Sequence, residues 1–147
     1  MLSPIMDSKN EVVRAVDRLA DELVATSRYL HQHPELAYEE WESARHLTDL
    51  LKARGFEVTE GAGGLPTAFL ARAGVERPSA TIAFLAEYDA LPSLGHACGH
   101  NLIAASSDGA ALALQPLLPA LGGQVVDRKS TRLNSSHIQK SRMPSSA

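Results

Sequence analysis

The segment Leu85 to Asn101, LAEYDALPSLGHACGHN, gathers the residues best able to do chemistry: Glu87, Asp89, His96, Cys98 and His100, with Cys98 the only cysteine in the chain. A thiolate and a neutral imidazole together suit Zn²⁺, and the flanking glycines let the backbone approach a bound ion closely. His96, Cys98 and His100 lie two residues apart. On a helix such residues do not face each other, whereas in an extended segment they share a face, so an extended loop would aim all three at one point. Spacing alone also allows a plainer reading, since a single Cys-x-His is commonly a buried thiol beside an unrelated histidine. Two or three donors are too few for a closed structural site, and residues 1–126 hold no second cluster of this kind. The chemistry points to half of a site.

Elements that could position this loop are legible on both sides of it. Ser8 followed by Glu11 is a capping-box pattern that predicts a helix start. Val12, Val13, Val16, Leu19, Ala20, Leu23, Val24 and Leu30 then recur at helical spacing, and Pro34 disfavours helix at His33. A second helix is expected from Glu39 to Arg54, with Gly55 as its C-terminal cap. The runs FEVTE, TAFLARA and TIAFLAEY read as strands bounded by Gly, Pro and Ser. TIAFLAEY is the most continuously apolar, as expected of a central strand covered on both faces. A small-residue helix follows from Leu102. The order is helix, helix, three strands, helix, which is an α/β arrangement with the His/Cys loop at a strand's C-terminal end, where ligand sites of open α/β sheets collect.

Of the 147 residues, 44% are hydrophobic and 21% charged, a globular composition. One cysteine cannot form an internal disulfide, no basic start precedes an apolar run, and no stretch is long and apolar enough to span a membrane. Cytoplasm is the expected location. The charge is uneven: 16 acidic residues against 9 basic ones up to Val126, then 1 against 5. An acidic body argues against nucleic-acid binding, which needs a basic surface. The basic end, DRKSTRLNSSHIQKSRMPSSA, has no apolar periodicity and looks like an in-frame translation of a sequencing-library adapter around a variable index. Residues 1–126 are therefore read as the natural portion and 127–147 as a non-native tail, expected to be extended and unpacked.

The joint pattern His-Pro-Glu-Leu (33–36), Glu-Tyr-Asp-Ala-Leu-Pro (87–92) and Gly-His-Ala-Cys-Gly-His-Asn (95–101) resembles the amino-terminal part of zinc-dependent amidohydrolases and peptidases of family M-20. The likeness runs from about residue 10 to about residue 120 and is strongest to the branch holding aminobenzoyl-glutamate and dipeptide hydrolases. It implies a three-layer α/β/α domain with a mostly parallel sheet, of which this chain holds the amino-terminal part only. It implies Cys98 and His100 as metal ligands, with Zn²⁺ (or Mn²⁺ or another divalent ion) as cofactor. Asp89 matches an aspartate that helps orient a metal ligand, although a strand-end carboxylate capping local N–H groups is an equal alternative. Glu87 stands where relatives outside the branch carry a ligating histidine. Asn101 stands where many members carry aspartate, and His96 falls on a neighbour of the ligands. His31, His33 and Glu35 read as structural residues of the turn between helices.

In the family a pair of adjacent glutamates supplies the general base and another ligand, and two further histidines follow; residues 1–126 do not match that part of the pattern. The resemblance thus implies a full-length parent that hydrolyses an amide in an N-acyl amino acid, aminobenzoyl-glutamate or a dipeptide. That parent would be a homo-oligomer without nucleic-acid or membrane partners, and this chain alone would be inactive. Two rival readings are a small thiol/His metal-binding module, disfavoured by the lack of Cys-x-x-Cys, and a basic-tailed nucleic-acid adaptor, which requires a genuine tail.

Overall fold

A computed structural model of the chain describes residues 4–129. Helix α1 (Pro4–Gln32) begins four residues ahead of the capping-box serine. A proline at the first helical position has no N–H to leave unbonded, which makes it a better start than an internal serine. Helix α2 spans Trp41–Ala53, and Gly55 closes it as expected by donating its N–H to the Lys52 carbonyl at 3.0 Å. Strands β1 (Glu57–Glu60), β2 (Phe69–Gly74) and β3 (Ala80–Ala86) follow, then α3 (His100–Leu114), a short α4 (Leu118–Leu121) and β4 (Gly123–Lys129).

The four strands form one sheet in the order β1-β2-β4-β3. β4 inserts between β2 and β3, antiparallel to the first and parallel to the second. β3 is therefore a parallel-type strand, as expected, but it lies at an edge of the described sheet rather than at its centre. Only one of the three pairings is parallel. No fourth strand was expected, because Gly123–Val126 offers only two strongly β-forming residues before the polar stretch begins.

The α/β class holds, with one core on one side of the sheet. Leu19 and Leu30 of α1, Leu47 and Leu51 of α2 and Ala104, Ala111 and Leu112 of α3 pack with Phe69, Ala71 and Val125. The alternate positions Leu70, Arg72, Val126, Arg128 and Leu85 are half-buried or exposed. Among the described residues the helices thus make one layer over the sheet, and a third layer is not part of them. Leu85 at 47% exposure and Ile82 at 50% belong to this uncovered edge. α1 and α3 approach closely because Gly109 has no side chain: a Cβ there would meet Leu23 Cδ1 at 2.7 Å. Among the described residues no helix is long and apolar enough to cross a membrane.

Strand β4 crosses the expected boundary at Val126. Asp127, Arg128 and Lys129 pair with Ala71, Leu70 and β3 residues in unbroken register. They are extended, as expected of the tail, but they are not unpacked: Asp127 is fully buried and Lys129 nearly so. Ladder hydrogen bonds come from the backbone, so a strand begun by Gln124–Val126 propagates whatever side chains follow. Alternation then delivers Asp127 and Lys129 to the buried face that Val125 occupies. Residues 130–147, with His137, lie outside the described residues.

Candidate functional site

The chain leaves β3 at Ala86 and stays extended through Asp89, so Glu87 and Asp89 project to one side while Tyr88 projects to the other. Tyr88 is fully buried, donates its hydroxyl to the Thr67 carbonyl at 2.6 Å and stacks near Phe69. Burial raises its phenol far above the ordinary range, which makes it a neutral anchor for the strand end. Ala90 is tied to the turn after α1 by its N–H, which donates to the Glu35 carbonyl at 2.7 Å.

His100 opens α3 directly after Gly99, whose φ of +81° turns the chain into the helix with a conformation that side-chain-bearing residues rarely adopt. Its ring sits between the two carboxylates of the preceding strand end. Nδ1 lies 2.9 Å from the Asp89 carbonyl and 3.1 Å from Asp89 Oδ1, while Nε2 faces Glu87 Oε2 at 3.2 Å. The hydrogen bond to Asp89 raises the His100 pKa, against the opposing effect of burial. For Asp89 the sum runs the other way: burial pushes the carboxyl up, and His100 more than offsets it, leaving the group below its ordinary value.

Asn101, next along α3, is buried and donates Nδ2 to the Ser27 carbonyl (3.2 Å) and Oγ (3.0 Å), which pins the start of α3 to the end of α1. Glu35 is structural, as expected. Its carboxylate accepts the N–H groups of Glu42 (2.9 Å) and Ser43 (2.8 Å) and the Ser43 hydroxyl, capping α2 from outside. His33 also acts locally, with Nδ1 2.8 Å from the Tyr29 carbonyl and its ring stacked on Tyr29.

The expected extended loop is not present. Gly99 donates its N–H to the His96 carbonyl at 3.0 Å, so residues 96–99 form a turn. His96, Cys98 and His100 therefore do not share one face. Cys98 is a half-buried free thiol. His96 is buried, neither ring nitrogen meets a hydrogen-bond partner, and burial, with the neighbouring His100 and His31, lowers its pKa. Its ring centroid stands 6.5 Å from that of His31. Among the described residues no group of three or more His, Cys, Asp or Glu side chains could by itself hold a metal ion. What the donor set does fit is part of a coordination shell: an imidazole oriented through Nδ1, a carboxylate beside its Nε2, and a thiol two residues away. A metal-ligating histidine commonly fixes its other nitrogen on a carboxylate or carbonyl in this way.

One acidic residue, Glu40, escaped sequence reasoning, and the role of a second, Glu87, was left open by it. Glu40, beside Glu39, is fully buried; it accepts the Thr67 hydroxyl at 2.6 Å and pairs with Lys129, which also lies over the Tyr88 ring. So placed, it is unavailable as a base. The second is Glu87 against His100 Nε2, for which the two-residue spacing to Asp89 was the available signal.

No family model matches the chain. Comparison with curated proteins finds an Xaa-Arg dipeptidase of Mus musculus, 42% identical across 77% of this chain and 28% of the relative. It also finds one of the subunits of the p-aminobenzoyl-glutamate hydrolase of Escherichia coli, 39% identical across 61% of this chain and 22% of the relative. The chain thus spans well under a third of the length of these two relatives. Among solved structures it is similar to a Bacillus subtilis protein described as a dinuclear metal-binding peptidase from the M20 family. The TM-score is 0.69 and the identity 28%, over 77% of this chain and 35% of that one.

Proposed function

We propose that the chain belongs to the M20 family of metal-dependent peptidases and amidohydrolases and is the amino-terminal part of an enzyme hydrolysing an amide bond in a small substrate. The substrate class is an N-acyl amino acid, aminobenzoyl-glutamate or a dipeptide, which covers the activities named for its relatives. Cys98 and His100 are the metal ligands of this reading. The observation that carries it is the seating of His100: Nδ1 is held by Asp89, so the ring is fixed with Nε2 turned toward Glu87. A soft thiolate beside an imidazole favours Zn²⁺ over the harder ions.

A divalent cation bound there would supply Lewis acidity, acidifying a water and polarising the amide carbonyl. The chain's own residues do the positioning. Asp89 accepts the Nδ1 proton of His100 and sets the tautomer that presents Nε2 as a donor. Asn101 ties the first turn of α3 to α1, so the ring cannot swing away from the strand end. No described carboxylate is placed as the general base: Glu40 is sealed in the core, and Asp89 is engaged by His100. In this reading the base and remaining ligands belong to the longer parent, which we take to be a cytoplasmic homo-oligomer.

Residues 127–147 are, in the same reading, foreign to that parent. In support, β4 carries Asp127 into a core position against Asp108, which no other feature of the fold requires. If the tail is translated adapter, its codons will spell the adapter, with variation confined to Ile138–Lys140; ordinary synonymous codon choice across the stretch would sink the idea. The test of function is paired. The full-length parent and this chain are assayed on N-acyl amino acids, aminobenzoyl-glutamate and dipeptides with added Zn²⁺ or Mn²⁺. Turnover by the parent alone is expected; turnover by the purified 147-residue chain would show that the site is complete without the missing part.

A further inference from the structure

We propose that the outer edge of β3 is a self-association surface, on which a second copy of this chain adds its own β3 in antiparallel register to make one continuous sheet. The inference stands apart from the metal-site reading. β3 (Ala80–Ala86) is bonded to β4 on one side, and among the described residues no strand pairs with its other side. A strand so placed presents a row of open N–H and C=O groups, and folded proteins guard such edges with charge, proline or a bulge. The sequence ATIAFLA holds no charged residue and no proline, and its register to β4 runs unbroken from Ala80 to Ala86.

The edge is also its own complement. A two-fold axis at Ala83 sets Ala80 opposite Ala86, Thr81 opposite Leu85 and Ile82 opposite Phe84, and this is the register that pairs all seven residues of the strand. Exposed Ile82 then meets an aromatic ring across the strands, on the face that carries the helices. Beside this edge α3 leaves an open groove lined in part by Phe84, Leu85, Leu102 and Ile103, of which Leu102 is 61% exposed. Charge does not oppose the contact. Within residues 80–86 and 102–114 the one charged residue is Asp108, which is buried, and Glu87 falls opposite Ser79. Seven paired residues give a strip about 23 Å long. With α3 beside it the contact is two layers deep, which brings the buried area near the roughly 1,000 Å² that a specific pair needs. A second copy is the occupant always at hand, because this chain spans under a third of the two relatives' length and supplies no further strand for the edge among the described residues.

The experiment is sedimentation velocity on the 147-residue chain over a concentration series, with far-UV circular dichroism as the control for folding. A monomer–dimer equilibrium with a midpoint of about 10–100 µM is expected, in keeping with a contact at the low end of specific interfaces. Ala83 is exposed, so Ala83→Lys leaves the core intact while setting like charges against each other at the axis, and it should weaken the dimer about tenfold or more. Val13→Lys removes an exposed apolar side chain of α1 instead and should leave the dimer within about twofold. The register is read by cross-linking in a Cys98→Ser background. Opposed residues of an antiparallel pair stand about 4.5–5.5 Å apart at Cα, within reach of a disulfide, so Ala83→Cys should join its own copy under oxidised glutathione. Thr81→Cys, whose partner is Leu85, should not. A chain that stays monomeric at about ten times the expected midpoint, a dimer untouched by Ala83→Lys, or an equal loss in Val13→Lys would each overturn the proposal. Cross-linking through Thr81→Cys in preference to Ala83→Cys would overturn it as well, since the strands would then not pair about Ala83.

Discussion

Two acidic groupings lie along α3, one part-exposed and one buried, and they are built in opposite ways. At its N-terminus Asp89 and Glu87 flank His100, so each carboxylate faces a ring nitrogen. Near its middle, Asp108 and Asp127 face each other in the core with no cation between them. Ser107 donates to Asp127 Oδ1 at 2.9 Å, but both Asp108 oxygens and Asp127 Oδ2 are without hydrogen-bond partners. Burial raises the pKa of each, and for Asp108 the charge of Asp127 raises it further. In the first arrangement each carboxylate has an imidazole nitrogen to pair with. The second is what results when a strand's backbone register forces a polar side chain into the core, with a desolvation cost that the Ser107 hydrogen bond offsets only in part.

The sharpest way to test the first half of this contrast is to remove a donor. In the full-length parent, Cys98→Ser or His100→Ala should cost metal and activity by more than about a hundredfold, because a soft anion or the oriented imidazole is exchanged for a weak donor or none. Metal analysis of the purified variants beside their rates would check it. Normal metal and rate in Cys98→Ser would remove that residue from the site while leaving the family intact. Next in size is Asp89→Asn, expected to lower metal affinity about 10–100-fold by disturbing the tautomer and tilt of His100. An effect no larger than that of a surface substitution would reduce Asp89 to a strand-end cap.

The second half of the contrast predicts a gain. Asp127→Val in this chain should stabilise it by about 1–3 kcal/mol, the usual cost of a buried polar group left unsatisfied, read as a higher denaturation midpoint at neutral pH. The pH dependence follows from the raised pKa values of the pair. The unfolded chain gives up these protons near the ordinary carboxylate range while the folded chain retains them. The stability they permit is therefore full below that range and is lost as pH rises toward the folded values. Melting curves taken from mildly acidic to mildly alkaline pH should show this decline, and Asp127→Val should flatten it. A variant no more stable than its parent, with the same slope, would break the comparison. The smallest expected effect is Glu35→Ala, which removes the cap of α2 and should cost about 1 kcal/mol with little change at His100.

How much of this was written in the order of residues depends on the range of the interaction. Helices α1 and α2, the cap at Gly55, three strands and the opening of α3 were legible because periodicity and turn chemistry act over a few residues. So was the chemistry of the His/Cys loop, since donor types are a property of composition. Local patterns misled where geometry was at stake. The two-residue spacing of His96, Cys98 and His100 suggested an extended segment, yet the hydrogen bond from Gly99 to His96 makes a turn and sends the three side chains different ways.

By itself, then, the amino-acid sequence determined the class of fold, the elements and the kinds of atoms that could meet a metal. Only tertiary structure decided which of them meet. Asp89 and Glu87 reach opposite nitrogens of one ring because the end of β3 and the start of α3 are held side by side, eleven residues apart in sequence at Asp89. Glu40 is retired from chemistry because Thr67 and Lys129, twenty-seven and eighty-nine residues away, close over it. β4 enters the middle of the sheet, and carries Asp127 into the core with it, because backbone pairing to β2 and β3 continues regardless of side chain. Each of these outcomes turns on contacts between residues far apart in the chain, and no local pattern of residue types encodes such a distance.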